Sequence, residues 1–393
     1  MVTGCEKVGG PFQSSGKNFT PIPVPAIFTS AAHPALPQMW KSAGRILTSP
    51  TVMMITFAGD GFAATLNTFV GKFVSSAEWT AMSSEYGVGA TAAATPVSLA
   101  GAPGAALTDS QVQTLLSTQL NLGGQPLGVP SSSTIYTIYF PQATTITAAD
   151  GSSKSCVVFN GYHSSYHDAG SGLKIAYSVI AHCAGDSADN ATTTISHETL
   201  EAATDPDGDG NNGVSGDFAI WPALFGTELA DLCEGFTDSV YTPSSIGNSI
   251  QKTWSNAAAM GSGDPCVPSV GEIYFNSIPV LTDNVKFTNP KTLVTEFTRG
   301  VSIPVAGSKT VALELYSNVQ TAPWSVVPLE VTTDNTSHGT FSQDLSTGSN
   351  GSTIRLTLHI NAHDPGYKAN IFMIQSTLGS AKKFYPFVVG DPW

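Results

Sequence analysis

Residues 195–210, ISHETLEAATDPDGDG, hold a histidine and two glutamates at a spacing suited to metal chemistry. On a helix, positions i and i+4 project about 40° apart around the axis. His197 and Glu201 then lie side by side, and Glu198, one residue on, turns aside toward a water on the metal. This is the HExxH arrangement of zinc peptidases with the second histidine replaced by a carboxylate. A bound divalent ion acidifies its water and polarises a carbonyl, and Glu198 is the expected general base. A third ligand must come from elsewhere. The segment GTELADLCEG, 226–235, offers Glu228 and Asp231 three residues apart on an expected second helix. Glu228 as ligand with Asp231 orienting a histidine fits the order known for one class of zinc peptidases, and the reverse assignment fits nearly as well. The motif points first to Zn²⁺, but two carboxylates and one imidazole make a harder donor set than two histidines and a glutamate, which softens that preference and admits Mn²⁺ or Ca²⁺.

The competing reading is an ordinary solvated acidic helix face. Against it, Leu200, Ala202 and Ala203 mark a packed helix, where an unpaired histidine–glutamate pair is costly. The preceding GYHSSYHDAG segment adds more histidine and tyrosine. It reads as a strand and its turn, on which His163 and His167 share a face without being close. That strand is expected to line a substrate cleft, with His163 or Tyr162 as a polarising catalytic group. His182, beside Cys183, reads as structural. DPDGDGNNG, 205–213, resembles the start of a calcium loop, but Gly216 stands where the bidentate glutamate belongs, so a solvated turn is expected. There is no GxSxG, no P-loop and no GxGxxG followed by a suitable acid.

The elements that must position these residues follow from periodicity. TVMMITFAG, 51–59, is a continuous apolar run and predicts a buried strand. Helices are predicted over AATLNTFVGKFVSS and SAEWTAMSSEYGVG, and over LTDSQVQTLLSTQL, where Thr108 and Gln111 have capping-box spacing and Leu107 and Val112 form a staple. Strands are predicted at 133–141, 155–167 and 173–182, followed by the SHETLEAA helix, which Pro206 closes. The sum is an α+β domain with a mixed sheet over 46–268, after an extended Pro-, Gly- and Ser-rich segment over 1–45. Beyond Cys266 the helix signal ends. Seven short strand-like runs between turn residues predict an all-β, immunoglobulin-like sandwich over 270–393.

Charged residues make up 11% of the 393, against roughly 25% in an average soluble protein. The net charge of −13 argues against nucleic acid and against electrostatic binding to an anionic membrane. No apolar run is long enough for a transmembrane helix. The cysteine spacing suggests the pairs Cys156–Cys183 and Cys233–Cys266 in an exported protein, with Cys5 left over. VTGC, ending at Cys5, looks like the tail of a lipoprotein cleavage box, which would place the chain at a cell surface.

In these motifs the chain resembles the exordium, or phosphate-induced, protein family of plant cell walls and bacteria. The matching pieces occur in order over roughly 45–268: GYHSS, IAYSVIAHC, HETLEAATDP and ELADLCEG, closed by KTWSNAAAMGSGDPC. The resemblance implies His197, Glu201 and the Glu228/Asp231 pair as metal residues and Glu198 as base. The sandwich lies outside the plant pattern and looks like an accessory module. The expected function is a secreted, zincin-like metal-dependent peptidase acting on peptide or cell-wall substrates. The alternatives are a wall protein with a structural metal and a carbohydrate-binding adhesin.

Overall fold

The computed structural model describes residues 28–392 apart from 124, 125 and 270. The chain is α+β and rich in strands. Its first part is built on a mixed sheet. Strand β1 (Thr51–Phe57) is apolar at both parities because both its faces are covered. Val52 and Met54 face the same side as Ile135, Tyr139, Ala176 and Ile180, and Met53, Ile55 and Phe57 face the other. β1 pairs in parallel with β2 (Thr134–Phe140). At the far edge β3 (Gly161–His167) runs antiparallel to β4 (Lys174–Ala181), which itself pairs in parallel with β2. The order is therefore β1–β2–β4–β3, with two short segments, Ala92–Ala93 and Val97–Leu99, added in parallel to β1.

Helices cover both faces. α1 (Ala63–Val74) packs on the first face through Leu66, Phe69 and Phe73. α2 (Asp109–Leu120) packs on the second through Val112, Leu116 and Leu120, and its Thr108/Gln111 capping box is formed. The helix bearing the HETLE residues, α3 (Ala188–Thr204), lies on the first face against β4 and β3. It is longer than its apolar periodicity indicates, because its polar first turns are held by a reciprocal cap between Ser187 and Asn190. The predicted strand over 155–167 is shorter than expected. Residues 156–159 form a tight turn, with Cys156 N donating to Phe159 O at 2.8 Å, and pairing with β4 starts only at Gly161.

Among the described residues the second part has strands and no helix. β5 (Phe275–Pro279), β8 (Ser308–Ser317), β12 (Thr353–Ile360) and β10 (Gly339–Gln343) form one sheet in that order. β6 (Asp283–Thr288), β7 (Thr295–Ser302), β14 (Ala381–Gly390), β13 (Asn370–Leu378), β9 (Trp324–Val331) and β11 (Thr347–Gly348) form the other. The sheets share a core, where Trp324 donates to Ser277 Oγ at 3.0 Å and its ring lies 5.5 Å from Phe275. β6, β10 and the two-residue β11 had no apolar run to announce them: DNVKFT and GTFSQ are mostly polar.

Both disulfides suggested by the cysteine spacing are present, Cys156–Cys183 and Cys233–Cys266, and they imply an oxidising, extracellular environment. Cys5, and with it the lipoprotein expectation, lies outside the described residues, as does most of the expected 1–45 segment. No helix among the described residues is long and apolar enough to cross a membrane. Residues 28–47 form a strap without helix. Ser30 Oγ donates to Ser317 O, Ala31 N to Asn350 Oδ1, and Leu47 N to Ala203 O, so the strap touches both parts.

One apolar core continues from the mixed sheet into the sandwich. Trp221 packs 5.5 Å from Trp254 and 5.4 Å from Tyr385. Beside it the buried Lys383 ammonium bonds Asp238 and Asp264, each at 2.7 Å. Removing one partner of a buried ion pair typically costs about 3–5 kcal/mol. Lys383→Met should therefore destabilise the whole chain by that order in urea unfolding. Adding Asp264→Asn should recover part of the loss, because the amide oxygen introduced there can still accept from Cys266 N while carrying no charge.

Candidate metal centre

The last two turns of α3 bring His197, Glu198 and Glu201 against β3 on one side and against the turn before α4 (Asp231–Glu234) on the other. Close approach to β3 depends on Gly161, where a Cβ would sit 2.6 Å from Thr194 Cγ2 and 3.0 Å from Glu198 Cγ. On the opposite side a Cβ on Gly226 would collide with the Asp231 carboxylate.

Glu201 is the pivot. Its Oε1 accepts from Ala230 N at 3.0 Å and Asp231 N at 3.3 Å, which leaves Oε2 facing inward. That oxygen lies 2.9 Å from His197 Nε2 and 3.9 Å from His163 Nδ1. The His197 ring is oriented from behind. Gln251 Nε2 donates to Ala230 O at 2.9 Å, so Gln251 Oε1 is the atom 3.1 Å from His197 Nδ1. Nδ1 then carries a proton, and Nε2 is the nitrogen turned to the carboxylates, donating to Glu201 Oε2 while protonated and free to ligate a cation once deprotonated, the orientation common to metal-ligating histidines. Asp231 Oδ1 stands 3.6 Å from the same Nε2, and Oδ2 accepts from Glu228 N at 3.2 Å.

Six of the residues singled out in the sequence, His163, His197, Glu198, Glu201, Glu228 and Asp231, converge. Glu228 and Asp231 each face a different histidine: Glu228 Oε1 is 3.2 Å from His163 Nε2, and Asp231 faces His197. Asp231 opens the short α4, while Glu228 lies in the turn before it. His163 sits deeper than a cleft-lining group, with Nδ1 3.3 Å from Glu198 Oε2 and Nε2 3.1 Å from Asp205 O. Two potential metal-ligand groups result, His197–Glu201–Asp231 and His163–Glu201–Glu228, each with its donor atoms within 4.8 Å of one another. Tyr162 turns to the far face of the sheet, where its hydroxyl donates to Asp109 at 2.6 Å, so it takes no part in the centre. His182 packs against the Phe62 and Tyr139 rings, as its structural reading anticipates.

The acidic turn after α3 binds protein groups instead. Asp205 accepts from Gly210 N and Asn212 Nδ2, and Asp207 pairs with Arg45 and Lys174. Sequence reasoning missed Gln251. It lies in a two-residue strand (Ile250–Gln251) with no periodicity, and only the fold brings it behind His197.

Burial and charge act together on the centre. Burial alone lowers both histidines, but Glu228 and Glu198 around His163, and Glu201, Glu198 and Asp231 around His197, hold both rings well above the ordinary value. Burial, reinforced by Glu228 and Asp231, raises Glu201 despite His197. Burial with Glu228 and Glu198 nearby likewise pushes Asp231 up to about 6. The centre therefore favours positive charge, as protons or as a cation. An open cleft of about 540 Å³ lies over it, with His197, Glu198, Asp231 and Gln251 in its lining. Comparison with protein-family models, curated proteins and solved structures finds no match to this chain.

Raised folded pKa values mean that the folded state holds extra protons, so stability falls as pH rises. The contribution of Asp231 is complete below 3.8 and is lost as pH climbs through about 6. That of the two histidines is complete below 6.5 and is lost as pH climbs through their raised values. With a chelator present, the melting temperature should decline across this range. Added Zn²⁺ should reverse the trend, because metal binding displaces those protons and strengthens with pH. A chelated protein whose melting temperature rises over the same range would contradict the described charge balance.

A second expectation concerns Gln251. Gln251→Leu removes the acceptor for His197 Nδ1 and should weaken Zn²⁺ binding by about 10–100-fold, measured by competition with a chromophoric chelator.

Proposed function

We propose that this chain is an extracellular, zincin-like metal-dependent peptide hydrolase related to the exordium proteins. One observation carries the reading: His197, Glu201 and Asp231 converge beneath an open cleft whose lining includes Glu198. In this reading His197, Glu201 and Asp231 hold the metal, and further donors come from His163 on β3 and from Glu228 in the turn before α4. The donor chemistry fits. Two imidazoles among carboxylates form a softer set than the HExxE motif alone, which favours Zn²⁺ over Mn²⁺ or Ca²⁺. When bound, such an ion polarises a substrate carbonyl and makes water more acidic. Glu198 then accepts the proton of the attacking water and returns it to the leaving amine. His163, 3.3 Å from Glu198 Oε2, fixes the direction of that carboxylate. The pieces that carry the family resemblance support the reading, since GYHSS, HETLEAATDP and ELADLC supply His163, the α3 residues and the Glu228/Asp231 pair. The immunoglobulin-like part serves as an accessory module that braces this domain.

A structural metal is the second reading. It is favoured by the inner group His163–Glu201–Glu228, none of which lines the cleft, since structural sites are closed and catalytic sites keep an open position.

Glu198→Gln separates the two. It removes the proton acceptor and retains the helix and the metal donors. Cleavage of a mixed peptide library with added Zn²⁺ should fall by about 10²–10⁴-fold while metal content stays constant. His197→Ala should lose the metal itself. Wild-type protein that holds zinc and cleaves no peptide leaves the structural reading standing.

A further inference from the structure

We infer that the ligand of this cleft is an extended peptide that places an apolar side chain beside a basic one. The inference rests on the peptidase reading of the same cleft and assigns its substrate class. One wall is the turn over 156–160, pinned by the Cys156–Cys183 disulfide and by Val158 N donating to Lys154 O at 2.9 Å. The turn holds Val157 and Val158 outward, 81% and 66% exposed, immediately before β3. A scattered exposed valine is ordinary, but two adjacent ones on a cross-linked turn at the cleft lip form a ready apolar contact. Val240, also exposed, stands in the cleft lining.

Charge selects the rest of the ligand. Among the described residues, the lining contains Asp186, Glu198, Asp231 and Glu234 and no lysine or arginine. Glu198 and Asp231 belong to the centre, where protons or a metal compensate them. Asp186 and Glu234 do not. Glu234 follows Asp231 by three residues on α4, about 4.5 Å along the axis, and its exposed carboxylate accepts no hydrogen bond from the described residues. A basic side chain next to the scissile position meets that carboxylate, and an anionic polymer meets repulsion reinforced by the net charge of −13. A neutral glycan would want an exposed aromatic face. The described lining has a single phenyl, indole or phenol ring, Phe159, and it is half-buried against Tyr162 at 5.3 Å and the core of that face.

The test uses the full chain, zinc-loaded and carrying Glu198→Gln to block turnover. Fluorescein-labelled decapeptides of alternating Leu–Lys, Leu–Glu and Ser–Lys are titrated by anisotropy, with an N-acetylglucosamine oligomer as competitor. Leu–Lys should bind at least about tenfold tighter than Leu–Glu, and Glu234→Lys should abolish that preference. Val157→Ser with Val158→Ser should weaken Leu–Lys by about tenfold and leave Ser–Lys unchanged. Both variants alter exposed side chains, and an unchanged melting temperature shows that each remains folded. Equal binding of Leu–Lys and Leu–Glu, insensitivity to both variants, no binding of any peptide, or displacement by the oligosaccharide would each overturn the inference. Wild-type turnover is read separately. Selective binding without hydrolysis removes the peptidase reading alone, and hydrolysis without selectivity removes only the substrate assignment.

Discussion

The organisation of the first part turns on gathering four carboxylates, two of them buried and two half-buried, around two imidazoles. Glu198, Glu201, Glu228 and Asp231 crowd into a space shared by His163 and His197. Unpaired, such a concentration of negative charge would be expelled from a folded interior. The fold answers with directed donors. Two backbone N–H groups at the start of α4 hold one oxygen of Glu201, and Gln251 sets the His197 ring. Gly161 lets β3 approach α3 closely enough for His163 to enter from the edge strand. Both disulfides flank the same place. Cys156–Cys183 holds the turn before β3 to the end of β4, and Cys233–Cys266 holds α4.

What was legible in the sequence was local. The His197–Glu201 pair depends only on helical spacing, and the Glu228/Asp231 pair on a short separation, so both could be read before any fold was known. The loss of helix signal after Cys266 was equally visible, because it is a change of periodicity. The depth of His163 was not. It follows from β3 lying at the sheet edge under α3, a contact between residues 35 apart in the chain. Gln251 was hidden for the same reason. The DPDGDGNNG turn misled in a different way. Its aspartates suggested either cation binding or solvation, and their real partners, Arg45, Lys174 and Asn212, lie mostly far off in sequence.

The two parts differ in architecture and share their interior. Trp221 and Tyr385 meet across the join, and Lys383 from β14 enters a pocket of aspartates belonging to the first part. A buried lysine–aspartate cluster, taken whole, contributes little over well-packed apolar side chains in place of all its members, but it is unforgiving of any other docking geometry. The sandwich is thereby fixed in orientation beside the segment that leads from Cys233 to Cys266, close in sequence to Asp231.

The strap over 28–47 sets an order of events. Its first contacts are to Ser317 and Asn350, with Ala31 and Asn350 separated by 319 positions. A chain made from its N-terminus holds this segment long before the residues that receive it exist. Closure between such distant positions is slow and comes late in folding. The strap is then a last stitch, sewn only after the sandwich has been synthesised, and until that moment Tyr316 lacks the stacked ring of His33 that covers it in the finished protein.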